Sequence, residues 1–360
     1  MRRFYGTLAQ NQAFFQREDR VARQPIEQRG SLWDGAPRRH GLSDSERAER
    51  LRALWSLADP CQLCPRRCGA RRLSGERGAC GAGPFGQVAW YGLHRGEEPP
   101  ISGSRGAGNL FFVGCSLRCP FCQNHQISRP RPTDSWPVLS VGGLAEAYLD
   151  LQDRGAQVLG WVTPAQHLPA AVEALFVADE QGLDLPLVYN TGGYERLEVL
   201  RLLDGIVDVY LPDFKYGPAA RFDLVRAPRD YVDVTRSALR EMWRQVGDLE
   251  LDSQGLARRG VCVRHLVLPG EVADTAGAIR IVRQDSGGRF SLSLLGQYLP
   301  VGQGLPAPLD RRLTPAEYRE AVWLLEAAQP TQGWLQDLEA AEVFSPDFSS
   351  NDPFGSRRQC

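Results

Sequence analysis

The chain has 360 residues, of which 42% are apolar and 24% charged, a balance typical of a globular protein and unlike that of a disordered or fibrous chain. Its formal net charge is −1, so the composition gives no indication of a nucleic-acid or membrane-surface partner. No apolar run approaches the roughly 18 residues of a membrane span, and Met1 to Arg20 lack the apolar centre of a signal peptide. We therefore predict a cytoplasmic protein, in which thiols stay reduced.

Residues 1–60 are predicted to form a polar arm followed by one helix. The arm is rich in Arg and Gln and shows no period. Ser43 and Glu46 have the spacing of a capping box, and an apolar stripe that includes Leu54 follows them, so we expect a helix to begin at Ser43. Pro60 is expected to end it.

Residues 61–108 form a cysteine-rich segment and a Gly/Pro-rich link. The four cysteines have the spacing Cys61-x2-Cys64-x3-Cys68-x11-Cys80. The segment is too short and polar to form a core of its own, which predicts that a bound metal organises it. Zinc and an iron–sulfur cluster both accept four thiolates, and the spacing leaves both open.

Strand-like and helix-like segments then alternate through residues 109–330. The apolar runs that predict strands are 110–113, 158–162, 185–189, 206–211, 261–268 and 290–295. The segments with helical spacing are 141–153, 168–179, 194–203, 274–282 and 314–327. Such alternation predicts an α/β fold with a parallel sheet, either doubly wound or a partial barrel. Residues 331–360 are a C-terminal tail, predicted to be disordered from Ser345.

The first of these strands leads directly into a loop with three cysteines, Cys115-x3-Cys119-x2-Cys122. So many thiols on a short loop are typical of a metal or cluster site. Structural zinc and ordinary iron–sulfur clusters use four protein ligands, so three thiolates would leave one coordination position open to a cofactor or substrate.

Polar residues follow the other predicted strands, and the carboxyl ends of parallel strands meet at one edge of a sheet. These candidate ligands, together with Asn124 in the cysteine loop, are Gln166, Asn190, Asp213, Lys215 and His265. Lys215 is the single lysine among 42 basic residues. A local hydrogen bond, a turn or a surface ion pair explains each one alone. Together with the three-cysteine loop they predict a cofactor site.

Several of these segments resemble those of one family. The run from Phe112 to Asn124, with its three cysteines, resembles the radical S-adenosylmethionine (radical SAM) superfamily, and within it the activating enzymes of pyruvate formate-lyase and their uncharacterised relatives. Asp213-Phe214-Lys215 is similar to their Asp-x-Lys segment, and Val263 to Gly270 is similar to their fifth strand. The four-cysteine segment resembles that of the uncharacterised relatives.

The resemblance implies an oxidoreductase with a partial (β/α)6, TIM-like barrel and an N-terminal cysteine-rich extension. Cys115, Cys119 and Cys122 would hold a [4Fe–4S] cluster, and S-adenosylmethionine would bind its open iron and be cleaved to a 5′-deoxyadenosyl radical that abstracts hydrogen. Phe121 would pack near the adenine, and Lys215 with Asp213 would hold the carboxylate end. Reduced flavodoxin or ferredoxin would donate the electron, and the substrate, which could be a protein such as a glycyl-radical enzyme, is unassigned.

One position departs from the family. A Gly-Gly-Glu segment after the second strand usually binds the methionyl amine, whereas this chain has Thr163-Pro164-Ala165-Gln166-His167, which leaves Gln166 or backbone carbonyls as acceptors. Two other interpretations stay open. The chain could be a non-catalytic iron–sulfur or zinc protein for electron transfer or assembly, or Cys119-Pro-Phe-Cys122 could exchange disulfides, which would leave Cys115 without a role.

Overall fold

The computed structural model describes residues 36–302, 304–338, 340 and 345–355. The polar arm predicted for the N-terminus therefore lies mostly outside the described residues. In the described part the strands are β1 Val88–His94, β2 Ala107–Phe112, β3 Leu159–Val162, β4 Leu187–Thr191, β5 Val209–Pro212, β6 Glu250–Leu251, β7 Ala257–Leu266, β8 Ser291–Leu295 and β9 Gln332–Leu335. The helices are α1 Asp44–Ser56, α2 Pro99–Ser102, α3 His125–Ser128, α4 Val141–Asp153, α5 Leu168–Glu180, α6 Leu197–Leu202, α7 Phe222–Val225, α8 Tyr231–Val246, α9 Thr275–Asp285 and α10 Pro315–Ala328.

The strands of this described region form one sheet in the order β1-β2-β3-β4-β5-β7-β8-β9, with β6 paired to β7. β1 runs antiparallel to β2, and every later pair along this path is parallel. The α/β prediction is thus confirmed. β1 and β9 are the edges of the sheet, so the described strands do not close into a ring, and the barrel form of the prediction is not confirmed.

Two capping boxes explain where long helices begin. The Ser43 hydroxyl accepts from the backbone N–H of Glu46, whose carboxylate accepts from the backbone N–H of Ser43 at 2.8 Å, as the sequence predicted. Thr314 and Glu317 make the same exchange at the start of α10, where Pro315 occupies the first turn.

The sheet buries a different core on each of its faces. Outward-facing residues such as Leu110, Phe112 and Trp161 pack against the helices in the larger core. A smaller inner cluster joins α2 to inward-facing residues of several strands: Ile101, Ala107, Val158, Val188, Val209 and Cys262. Residues of β2, β4, β5 and β7 thus share one small cluster on this face of the sheet. Cys262 is a buried small side chain there, as predicted.

The C-terminal tail differs from its prediction. Residues 332–335 form the edge strand β9, and residues 345–355 pack against the sheet, although disorder was predicted from Ser345. Phe348 is buried, and the Phe354 ring centroid lies 5.4 Å from that of Phe111. Two aromatic side chains in an otherwise polar segment supply the apolar surface that holds it in place. Residues 356–360 lie outside the described residues.

The link before the first predicted parallel strand also contains more structure than expected. β1 lies within it and pairs with β2 from His94 to Val88. Among the described residues, no helix is long and apolar enough to cross a membrane.

Candidate cofactor site

A cavity of about 220 Å³ opens at the carboxyl ends of the parallel strands. All three cysteines of the Cys115–Cys122 loop line it. Asn190 of β4 and the Asp213–Lys215 segment after β5 line the same cavity. The topology therefore brings together residues that are up to 100 positions apart in the chain.

The loop leaves β2 through Gly114, whose φ is +89°. A Cβ at this position would lie 2.9 Å from the Cβ of Ala82 and 3.1 Å from the carbonyl oxygen of Cys80, so only glycine fits. The Cys115 N–H then donates to the carbonyl oxygen of Cys80 at 3.2 Å. The three-cysteine loop is thus built directly against the four-cysteine segment.

The thiols of the loop are shielded from water to different degrees. Cys119 is buried, and Cys115 and Cys122 are half-buried. Burial raises the pKa of Cys115 to about 12, and Cys119 nearby adds to the increase. Burial also raises the pKa of Cys119, whereas the positive charge of Lys215 lowers it. Without a metal these groups are thiols, and a bound cation would favour the thiolates.

Lys215 and Asp213 form an ion pair in the cavity wall through Nζ and Oδ2. Burial lowers the pKa of Lys215, but Asp213 and Cys119 raise it more, so the net shift is upward and the amine stays charged. The Tyr231 hydroxyl accepts from the Lys215 N–H at 2.8 Å and donates to the carbonyl oxygens of Gly192 and Asp213. This tyrosine fixes the backbone that presents both charges.

Gln166 does not lie among the residues that line the cavity, although the sequence proposed it as an acceptor for an amine. Its Nε2 donates to the carbonyl oxygens of Val113, Gly114 and Thr163 at 3.1, 2.7 and 2.8 Å. Thr163, with a φ of +55°, lines the cavity in its place. The segment after β3 therefore turns Gln166 back toward the start of the cysteine loop.

His167 has a similar role. Its Nε2 lies 2.8 Å from the carbonyl oxygen of Val113, which can only accept, so Nε2 carries the proton. Its ring stacks on Phe112 with centroids 5.5 Å apart. Burial lowers its pKa to about 3, with Arg72 adding to the effect, so the ring is neutral near pH 7. Gln166 and His167 both hold the strand end from which the loop begins.

The remaining predicted residues divide into two groups. Phe121 and Asn124 line the cavity, and Phe121 lies 5.6 Å from the ring of Tyr298. His265 is fully buried outside the set of cavity residues: its Nδ1 donates to the carbonyl oxygen of Phe214 at 2.6 Å, and its Nε2 lies 3.0 Å from the Thr275 hydroxyl. The structure does not bring His265 to the cavity.

Two features of the cavity were not predicted. The Tyr216 hydroxyl lies 3.4 Å from the sulfur of Cys119. Elsewhere in the cavity wall Arg264 forms ion pairs with both Glu97 and Glu98, with 2.8 Å between its Nε and Glu98 Oε1. Tyr216 directly follows the Asp-x-Lys segment, so that position could have revealed it. The pairing of Arg264 with Glu98 joins residues 166 positions apart, and no local pattern signals it.

The four cysteines of residues 61–80 lie near one another outside this cavity. Cys61, Cys64 and Cys80 are buried and Cys68 is exposed. Burial raises the pKa of Cys64 to about 12, with Cys80 and Cys61 contributing to the increase. Burial raises the pKa of Cys80 as well, with Cys61 and Cys68 among the contributors. The sulfurs of Cys68 and Cys80 both lie beside Gly78, where a Cβ would be 3.6 and 3.2 Å from them.

Neither cysteine group is arranged as a finished site for a single ion: no three His, Cys, Asp or Glu side chains within the described part of the chain form a metal-binding group. The donor chemistry nevertheless fits an iron–sulfur cluster at the loop. Thiolates are soft ligands that suit iron and zinc, and the loop offers three of them without a competing carboxylate or imidazole between Cys115 and Cys122. Each cysteine of such a cluster binds a different iron, so its sulfurs stand farther apart than those around one ion.

Comparison with known proteins shows limited sequence and structural similarity. No family model matches the chain. An uncharacterized protein of Methanocaldococcus jannaschii is 28% identical over 277 residues, which cover 74% of this chain and 74% of that protein. The solved structure of native anSMEcpe with bound AdoMet has a TM-score of 0.38 and 12% identity over 60% of this chain. The match covers 57% of that chain, less than two thirds of its length.

Proposed function

We propose that this chain is a radical SAM enzyme. The observation that carries the proposal is the shared cavity: three thiols of one short loop and a charged Asp213–Lys215 pair line the same space. A non-catalytic metal protein needs ligands but has no need of an ion pair beside an incomplete thiol set. A cofactor with a carboxylate, an amine and a cationic sulfur could interact with both the thiol-bound metal and the ion pair.

In this proposal Cys115, Cys119 and Cys122 would hold a [4Fe–4S] cluster, and Asp213 and Lys215 would bind the polar end of S-adenosylmethionine. When bound, the reduced cluster and S-adenosylmethionine supply a 5′-deoxyadenosyl radical that abstracts a hydrogen atom from the substrate. Lys215 offers a compact ammonium with three donors for the cofactor carboxylate. Phe121 packs beside the adenine.

The protein's own contribution is to position the cofactor and to exclude water. Gln166 and His167 hold the strand end before the loop, and Tyr231 holds the backbone around Lys215. Phe111 and Phe354 line the cavity together with Tyr298, which keeps one side of it apolar. With Gln166 turned away, the methionyl amine is left to Asp213 and to backbone carbonyls near Thr163.

The substrate is not assigned by these residues. A glycyl-radical enzyme is one candidate target, in keeping with the resemblance to the activating enzymes of pyruvate formate-lyase. Reduced flavodoxin or ferredoxin is the proposed electron donor, and the cytoplasm is the proposed compartment. The four-cysteine segment would hold zinc or a second iron–sulfur cluster.

The test is anaerobic reconstitution with iron and sulfide, reduction with dithionite, addition of S-adenosylmethionine and measurement of 5′-deoxyadenosine by chromatography. We expect product from the wild type and none from Cys119→Ala, because the cluster loses a ligand. Cys262→Ala, which removes a buried cysteine outside both groups, is the matched control and should retain product. A wild-type protein that binds the cluster but yields no 5′-deoxyadenosine would support the electron-transfer alternative.

A further inference from the structure

One buried hydroxyl contacts the three-cysteine loop. Tyr216 directly follows the Asp213–Lys215 segment and is fully buried. Its hydroxyl lies 3.4 Å from the sulfur of Cys119, and within the described residues this sulfur is its one hydrogen-bond partner. Buried polar groups are nearly always hydrogen-bonded, and here the partner is a proposed ligand of the cluster.

The hydroxyl is the donor of this bond whenever Cys119 binds metal. In a free thiol either atom could donate, but a metal-bound sulfur is a thiolate and can only accept. Burial and the neighbouring Cys119 raise the pKa of Tyr216 well above its usual value, so the hydroxyl keeps its proton. A hydrogen bond to an ionised acceptor is stronger than one between two neutral groups.

The surrounding structure fixes the position of this hydroxyl. The Lys215 N–H, one residue before Tyr216, donates to the Tyr231 hydroxyl at 2.8 Å. The Gly217 N–H, one residue after it, donates to the carbonyl oxygen of Ala273 at 2.8 Å. The Tyr216 ring packs edge-on against the ring of Tyr231, with centroids 5.0 Å apart. The donor is therefore oriented toward the sulfur in advance and has little freedom to turn away.

The three sulfurs of the loop are not equivalent. Among the described residues, Cys119 is the one cysteine of the loop whose sulfur is hydrogen-bonded to a side-chain hydroxyl. Burial raises the pKa of Cys119, whereas the positive charge of Lys215 and the hydrogen bond from Tyr216 lower it. A cation and a hydrogen-bond donor thus act on the same ligand, and both favour negative charge on its sulfur.

We propose that the Tyr216 hydroxyl raises the reduction potential of the cluster through its hydrogen bond to Cys119. The inference rests on the proposed function, because that function places a cluster on the three cysteines. One-electron reduction adds one negative charge to the cluster and its thiolates, and the electron comes from an external reductant that is oxidised. A donor bonded to a thiolate stabilises this more negative state. Tyr216 acts through Cys119 and is not itself a catalytic residue.

The test is a redox titration of the reconstituted full-length protein with dithionite and mediators, followed by the electron paramagnetic resonance signal of the reduced cluster. Tyr216→Phe keeps the ring and removes the hydroxyl. We expect its ratio of reduced to oxidised cluster at a given potential to fall about tenfold, which corresponds to a midpoint potential about 59 mV lower for one electron. Its iron content should stay unchanged. Tyr148→Phe is the matched control, because it removes a buried hydroxyl that donates to Ala171 O at 3.3 Å in the larger core, and it should titrate as the wild type does.

Electron–nuclear double resonance in D2O gives a second readout that a role in packing alone would not change. The wild type should show the coupling of an exchangeable deuteron to the reduced cluster that is missing from Tyr216→Phe. The control variant should keep this coupling.

The possible outcomes separate this inference from the proposed function. Equal midpoint potentials in the wild type and Tyr216→Phe overturn the inference and leave the hydroxyl with a packing role. Loss of iron from Tyr216→Phe also overturns it, since the hydroxyl would then be needed to bind the cluster. A wild type that binds no cluster rejects both proposals. A wild type whose reduced cluster yields no 5′-deoxyadenosine rejects only the proposed function, and the two midpoint potentials still decide the role of Tyr216.

Discussion

The two cysteine groups are neighbours joined by the Cys115–Cys80 hydrogen bond, yet they are built differently. The three-cysteine loop faces a cavity that also presents an ammonium, a carboxylate and an aromatic wall. The four-cysteine segment has four thiols, the number that a closed metal site uses, and lies outside the residues that line this cavity. In a structural metal site the protein fills every coordination position, whereas a catalytic metal site keeps one coordination position open. Under the proposed function, the three-cysteine loop binds the cofactor and the four-cysteine segment has a structural or electron-relay role.

The first prediction concerns stability. In the proposed function the four-cysteine segment holds a metal. The Cys64→Ser/Cys80→Ser variant should then lose that metal and about 4 kcal/mol of unfolding free energy, because metal binding would supply the folding energy of a segment with so little apolar core. Cys119→Ala should lose the loop cluster but be destabilised less, since β2 and the helices around it have their own core. Anaerobic denaturant unfolding with metal analysis measures both effects.

The two variants could also lose the same amount of stability. Equal losses of stability in the two variants would mean that both groups organise the fold to the same degree. Metal analysis of Cys64→Ser/Cys80→Ser against the wild type also shows whether zinc or additional iron disappears, which identifies the metal of the four-cysteine segment.

The second prediction concerns cofactor binding at the loop. Lys215→Ala should weaken S-adenosylmethionine binding about 30-fold, equivalent to roughly 2 kcal/mol for a lost charged hydrogen bond, while the iron content stays unchanged. Equilibrium binding to the reconstituted protein gives the Kd. Arg280→Ala on α9 removes a positive charge elsewhere and should have no effect. If the affinity of Lys215→Ala equals that of the wild type, the ion pair with Asp213 is only structural.

Much of this site could be predicted because its elements are local. The three cysteines occur within eight residues, and strand-end residues such as Asn190 and Asp213 meet because parallel strands share one edge. The alternation of strands and helices was enough to predict β2 to β5, β7 and β8 and the helices α4, α5, α6, α9 and α10, but not the two-residue strand β6. The open edge strands β1 and β9 were missed, because short strands within polar or Gly-rich sequence have little periodic signal.

The directions of side chains were harder to predict. Gln166 follows β3 as expected, but the backbone at Thr163 and the turn after it direct its amide to Val113 and Gly114. His265 lies in β7, where both of its ring nitrogens find partners in the core. Whether a strand-end side chain points into a cavity depends on a few backbone angles, and a sequence pattern does not determine these angles.

The third prediction uses His167, which supports the loop without entering the cavity. Its folded pKa of about 3 lies below the ordinary value of about 6.5 expected in the unfolded chain. The unfolded chain therefore binds the proton more readily, so the stabilising effect of neutral His167 is complete above about pH 6.5 and is lost as the pH falls toward the folded pKa.

Between pH 7 and 5.5 this linkage should remove about 1.3 kcal/mol of unfolding free energy from the wild type. His167→Gln keeps an amide that can donate to Val113 but cannot titrate, so its stability should fall by about 1.3 kcal/mol less over the same interval. Buried His265, whose pKa burial also lowers, contributes equally to both proteins and cancels in the difference. Urea unfolding of both proteins at pH 7 and pH 5.5 measures this difference in unfolding free energy. The same loss in both proteins would contradict a lowered pKa of His167 in the folded protein.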